Sequence, residues 1–392
     1  MKIKRSRYLL SGAGFLMSIL FWMSYTWYHS EYEFQLISDF EENDRVMMVY
    51  SPRPYIIELI VELSKYESVG IILKDRGRFE EAQESLAKAN TEHIQYAIVP
   101  EVDQWIRDVG PAILKNRRGQ LRAVEFFSPK KIREPSARAI ANGLKMPLIN
   151  SEVQILGGAR ESNGEGLLIT TEAYFKNVSR GIWNKKKLTK QLKKGFAVKQ
   201  VLWLENGLIE DEPFNNGPIY KDIYPYGSGA HVDEFCRFIN YNTVLLAEVE
   251  SEDRSKHPIY AENHKRMEEN FERLQAWKKP KLNIVRVPAA ELKFQQITPP
   301  NINQSYTVAL PASYLNFVIG NKCIIAARYF LEGMPESVRL KDEKARAILQ
   351  SCFPKHEIVQ LNPDRLNIRG GGFHCITFNI PTNKRKLKRK LS

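Results

Sequence analysis

An α/β fold with mixed strands, built from about five similar units around a shared site, is what this sequence predicts. Three observations carry the prediction. Helical and strand patterns alternate along the chain, and two hairpin signals interrupt the alternation. Five polar clusters recur, one per unit, separated by some tens of residues.

The elements follow in chain order. Residues 1–30 read as a basic stub and a membrane anchor. The stretch "YLLSGAGFLMSILFWMSYTWY" (8–28) has no ionisable group except tyrosine, and about 20 apolar residues span a bilayer as a helix. Lys2, Lys4, Arg5 and Arg7 precede it, and positive flanks stay cytoplasmic. A cleaved signal peptide is the rival, but no good cleavage site follows. Either reading puts the body outside the cytoplasm.

The body, residues 31–381, alternates. "PYIIELIVELSKY" predicts a helix and "VGIILKD" a strand; "FEEAQESLAKAN" and "HIQYAIV" repeat the pair. So do "NKKKLTKQLKKGF" with "AVKQVLWL", "HKRMEENFERLQAW" with "KLNIVRVP", and "KDEKARAILQSCF" with "HEIVQLN". Hairpins are predicted at Arg118-Gly119 and at Asn163-Gly164, the second a strong turn signal. No linker rich in Pro, Gly or Ser divides the body. Residues 382–392 form a basic tail, read as a solvated end.

Charge excludes one class of partner. The formal net charge is +13. Four of those charges lie in the first seven residues and six in Lys384–Lys390, which leaves +3 for the body. Nucleic-acid binding would put the charge in a patch on the folded surface, so none is expected. Cys236, Cys323, Cys352 and Cys375 fit no zinc spacing. Cys323 and Cys352 read as core; in an oxidising compartment the four would allow three disulfide pairings.

The clusters are "WIRDVGP" (105–111), "GGARESNGEG" (157–166), "HVDEF" (231–235), "SYLNF" (313–317) and "GGGFHC" (370–375). Residues 373–380 read as a strand, on which neighbouring side chains point to opposite faces. His374 and Cys375 therefore do not share a proton, and a base for Cys375 must come from elsewhere. His231 and Asp233, two apart, share a face. Singly, each has a bland reading: a buried thiol, a turn aspartate, a structural His–Asp bond. Together, Cys375, His231, Asp108 and Asp233 offer a thiol, a base and two carboxylates. Carboxylates suit the planar fork of a guanidinium, and its poorly electrophilic carbon calls for a thiolate.

Those motifs, with "NGEGLLITTE", "LPASYLNFVI" and "GGGFHCITFNIP", resemble the agmatine deiminase and bacterial-type (Porphyromonas-type) peptidylarginine deiminase family, in order over residues 45–381. The resemblance implies the pentein fold, a five-bladed αβ propeller with pseudo-fivefold symmetry and a central site. It implies guanidine-modifying chemistry with no metal and no cofactor. By position, Cys375 resembles the nucleophile and His231 the acid/base. Asp108 and Asp233 resemble the guanidinium-binding aspartates, and Asn316 a residue lining the site. Trp105 and Arg107, beside Asp108, are expected at the substrate. The glycines Gly370 to Gly372 allow close approach of the backbone.

One position departs: the glutamate that agmatine deiminases carry before the glycine pair is Leu156 here. With "HVDEF" and an extracytoplasmic body, this leans the expectation to peptidyl-arginine, with citrulline as product. Agmatine deiminase, amidinotransferase and a catalytically impaired guanidine-binding protein are the alternatives.

Overall fold

The computed structural model describes residues 33–100, 102–127, 135–179, 183–298 and 304–383. One plan recurs five times: an antiparallel strand pair, a helical crossover, and a third strand parallel to the second. The first unit joins both ends of the body. Thr377–Pro381 lies antiparallel to Asn43–Val49, which after helix Pro54–Ser64 runs parallel to Val69–Leu73. The second pairs Ala112–Lys115 with Leu121–Phe127, then crosses through Pro135–Gly143 to Leu148–Gln154. The third pairs Glu161–Ser162 with Leu167–Thr171, then crosses through Glu172–Val178 and Lys185–Gly195 to Gln200–Leu204. The fourth pairs Cys236–Asn240 with Thr243–Glu248, then crosses through Pro258–Ala276 to Asn283–Pro288. The fifth pairs Val318–Ile319 with Cys323–Ala327, then crosses through Glu336–Cys352 to Glu357–Leu361.

Local chemistry accounts for these elements. In helix Pro54–Ser64, Ile56, Leu59, Ile60 and Leu63 are buried at helical spacing, and Pro54 opens the first turn. Strands Val69–Leu73 and Cys323–Ala327 are buried at every residue, as strands covered on both faces must be. Gly119 at φ 84° and Gly164 at φ 70° turn the two expected hairpins. A further sheet, Ile223–Pro225, Tyr306–Ala309 and Phe294–Ile297, was not legible in the sequence.

Four of the polar clusters occupy the connection just before the first strand of their unit, and the cluster at 157–166 begins there and runs on through strand Glu161–Ser162 and its turn. Backbone and side-chain hydrogen bonds run in a circuit through all five. Arg107 N–H donates to Cys375 O (3.2 Å), Gly158 N–H to Asp108 Oδ1 (2.9 Å), and Asp233 N–H to Gly158 O (3.2 Å). Asn316 Nδ2 donates to Glu234 Oε1 (2.8 Å), and His374 N–H to Asn316 Oδ1 (2.9 Å).

Two expectations are corrected. The last strand begins at Thr377, not 373; residues 373–376 form a turn in which Thr377 N–H donates to His374 O (3.1 Å). The expectation of a membrane-anchored body outside the cytoplasm is not upheld: among the described residues no helix is long and apolar enough to cross a membrane. Residues 8–28, on which that expectation rested, and tail residues 384–392 lie outside the described residues. All four cysteines are free, Cys323 buried in its strand and Cys352 half-buried at its helix end.

Candidate active site

The thiol of Cys375 is buried. Asn316 Nδ2 lies 3.3 Å from Sγ, Gly372 N–H 3.5 Å and Glu234 Oε1 3.7 Å. A Cβ at Gly371 would sit 2.8 Å from the Trp105 ring and 3.1 Å from Sγ. Only glycine lets the indole and the thiol close on the chain here. Burial pushes the thiol well above its usual range, and the carboxylates of Asp233, Glu234 and Asp108 push it further.

His231 is fully buried, and neither ring nitrogen has a hydrogen-bond partner among the described residues. Its Nδ1 stands 3.8 Å from Asp108 Oδ1. Burial raises the Asp108 carboxyl, with Asp233 adding to that and His231 opposing it. Asp233 Oδ2 is 2.6 Å from His374 Nδ1, while Oδ1 is buried without a partner among the described residues. Burial alone would raise Asp233; its hydrogen bond and attraction to His374, with His231 and Arg237, hold it below the usual carboxylate range.

His231 and Asp233 converge on Gly158. A Cβ there would sit 2.7 Å from His231 Nδ1 and 2.9 Å from each Asp233 oxygen. Gly158→Ala should therefore displace both groups and lower kcat on the order of 10²-fold. Steady-state kinetics beside a melting curve test this; an unchanged kcat would remove Gly158 from the site.

Two site residues behave otherwise than the sequence suggested. Arg107 does not face the thiol: its guanidinium bonds Asp39 Oδ1 (3.0 Å) and Asn379 Oδ1 (3.1 Å). Leu156 packs on an apolar cluster; its N–H donates to Tyr174 Oη (2.9 Å), and the Tyr174 ring lies 5.5 Å from that of His231. Glu161 supplies no substitute carboxylate for His231, since it lies 2.7 Å from Arg237 Nε and accepts from Phe238 N–H.

Four groups escaped the sequence reading. Glu234, beside Asp233, lies within the "HVDEF" motif and could have been found there. Burial raises it well above the ordinary range, and Asp211 and Asp233 add to that. His374 was seen only as a base that Cys375 could not use. Asp39, in "SDFEEND", resembles an exposed acidic loop and gave no signal. Asp211 pins the loop carrying His231: its carboxylate accepts from Ser228 N–H and Oγ–H and from His231 N–H, at 2.7–2.8 Å. That loop passes through Gly229 at φ 113° and Ala230 at φ 67°, a strained approach that these bonds hold in place.

Beside Asp211, burial pushes Glu210 up to about 7 from its ordinary 4.5. The folded state then holds this proton more tightly than the unfolded chain. Its stabilisation is full below about pH 4.5 and lost as pH rises through about 7. Glu210→Gln, which has no proton to lose, should remove that part of the decline. Urea midpoints of both proteins across this window test it; parallel curves would refute it.

With this geometry in hand, relatives can be placed. Residues 38–381 match the family described as Porphyromonas-type peptidyl-arginine deiminase. The chain belongs to that family. Membership makes it a hydrolase acting on carbon–nitrogen bonds in linear amidines. Among family relatives, an agmatine deiminase of Pseudomonas aeruginosa is 26% identical over 382 residues, covering 90% of this chain and 96% of its own. One of Pseudomonas fluorescens is 28% identical over 341 residues, covering 81% and 84%. A solved agmatine deiminase of Enterococcus faecalis shares the fold at a TM-score of 0.72 and 21% identity, covering 91% of this chain and 98% of its own.

Proposed function

We propose that this deiminase hydrolyses the guanidinium of agmatine to a ureido group, giving N-carbamoylputrescine and ammonia. One observation carries the reading: the carboxylates of Asp108, Asp233 and Glu234 act together on the buried Cys375 thiol, Glu234 Oε1 at 3.7 Å from it, and a cation is what such a group of carboxylates binds. The lean towards peptidyl-arginine is reversed. It rested on Leu156, on "HVDEF" and on a body outside the cytoplasm, and the segment behind the last of these lies outside the described residues. The two sequence relatives named above, which cover 90% and 81% of the chain, are agmatine deiminases. The hydrogen-bond circuit through the five clusters supports reading the units as blades of one propeller around the site.

In the proposed mechanism Asp108 and Asp233 hold the guanidinium. Its positive charge offsets the carboxylates that keep Cys375 protonated, so the thiol passes its proton to His231 as substrate binds. The sulfur attacks the central carbon. His231 gives a proton to the departing nitrogen, and ammonia leaves. A covalent thiouronium remains on Cys375. His231 then takes a proton from water, whose oxygen adds to the carbon. The carbon–sulfur bond breaks, the added hydroxyl loses its proton to solvent, His231 returns its own to the sulfur, and the ureido product leaves with the thiol restored. Proton transfer by a placed histidine contributes about 10²–10⁴-fold. Asn316 and Gly372 steady the sulfur; Trp105 packs beside it.

Ammonia release measured with agmatine, free arginine and an arginyl peptide tests the proposal. Agmatine should give the highest kcat/KM. Preference for the peptide would restore the other reading, and transfer of labelled guanidine carbon to an added amine would make the protein an amidinotransferase.

A further inference from the structure

His374 stands behind the site, touching no reacting atom in the scheme above. Its ring is buried between two carboxylates: Nδ1 lies 2.6 Å from Asp233 Oδ2, and Nε2 2.5 Å from Asp39 Oδ2. A carboxylate accepts hydrogen bonds, and a neutral imidazole carries one N–H only. Two such bonds need a hydrogen on both nitrogens, or a protonated carboxyl on one side. Neither carboxyl holds the proton well. Burial alone would raise Asp39, but Arg107, His374 and Arg237 bring it well below the usual range, and Asp233 is lowered likewise.

Charge balance points the same way. Arg107 and Arg237 reach Asp39 at 3.0 and 3.2 Å, and Arg237 reaches Glu161 at 2.7 Å. Asp39, Glu161 and Asp233 thus face Arg107, Arg237 and the His374 ring. Burial raises the Glu161 carboxyl while Arg237 opposes it; where that contact keeps Glu161 ionised, a neutral ring leaves three anions against two cations. Arg160 and Asp108 also act on the cluster, with opposite charges. Asp39, Glu161 and His374 bring ligand-type atoms within 4.8 Å of one another, but the arginines already engage both carboxylates.

We propose that His374 is a positioning residue: an imidazolium strut, braced by Asp39, that fixes Asp233 through Oδ2 and leaves Oδ1 free for the substrate guanidinium. The proposal rests on the deiminase reading for its substrate, but the strut itself does not. It also ties the two halves of the site together, because His374 N–H donates to Asn316, whose Nδ2 touches the thiol. Glutamine at this position could hold one carboxylate at most.

The test uses full-length protein, agmatine, and the variants His374→Gln and Asp39→Asn. His374→Gln should raise KM on the order of 10²-fold, as expected for a misplaced binding carboxylate, with the smaller change in kcat. Asp39→Asn should move the basic limb of the kcat/KM profile to lower pH, because one carboxylate instead of two then holds the ring proton. Nitrogen-15 spectra of histidine-labelled protein give a readout without turnover. At neutral pH, where a lone imidazole is mostly neutral, one histidine should show hydrogen on both ring nitrogens. That signal should vanish in His374→Gln and fade at lower pH in Asp39→Asn. If agmatine is not the substrate, these spectra still stand. A singly protonated His374 at neutral pH, or His374→Gln with the KM and pH profile of the parent, would overturn the strut. If His374→Gln does not fold, an unshifted signal in Asp39→Asn overturns it and a shifted one upholds it.

Discussion

Cys375→Ala should lose turnover by at least about 10⁴-fold while still binding agmatine. The covalent step needs a nucleophile at the sulfur position, and neither Asn316 nor Gly372, which flank it at 3.3 and 3.5 Å, can attack carbon. The carboxylates proposed to bind the cation, Asp108 and Asp233, are untouched. Removing the thiol also takes away a group that those carboxylates hold protonated, so affinity should not fall. Calorimetric titration with agmatine and single-turnover ammonia release measure the two halves of the claim. Activity within tenfold of the parent would take Cys375 out of the nucleophile role. Loss of binding together with turnover would mean that the thiol is needed to shape the pocket.

Arg237→Met should destabilise the fold by about 3–5 kcal/mol, the largest stability loss expected here. Arg237 is fully buried, with Asp39 and Glu161 on one side and the carbonyls of Leu315 and Phe317 on the other, at 3.1 and 2.9 Å. Methionine fills much of the volume but leaves the buried Glu161 and the half-buried Asp39 short of a cation. Urea midpoints measure the loss. Adding Glu161→Gln should recover part of it, since one uncompensated charge then disappears; strict additivity of the two changes would show that they do not interact. A cost below about 1 kcal/mol would mean that water reaches the cluster and screens it.

Much of the architecture was legible in the sequence because it is local. Helix Pro54–Ser64 and strand Val69–Leu73 follow from apolar spacing, and the hairpin at Asn163-Gly164 from its turn residues. The short sheet Ile223–Pro225, Tyr306–Ala309 and Phe294–Ile297 was not, because its strands are three to four residues long and the first is far from the other two in the chain. Strand reasoning separated His374 from Cys375 for a reason that does not hold, since residues 373–376 form a turn. The separation itself stands: the imidazole bonds Asp39 and Asp233, while the thiol meets Asn316 and Gly372.

Periodicity and turn chemistry act over a few residues, so the alternation of elements, the five polar clusters and the types of group they carry are written locally in the chain. Which of those groups face one another is set by long-range packing. Arg107 sits next to Asp108 in the chain yet turns to Asp39 and Asn379, and Asp233 is held by a histidine 141 residues away. No local pattern encodes such pairs. They form because a buried charge must find an opposite one wherever packing brings it, and that search is settled by the whole fold.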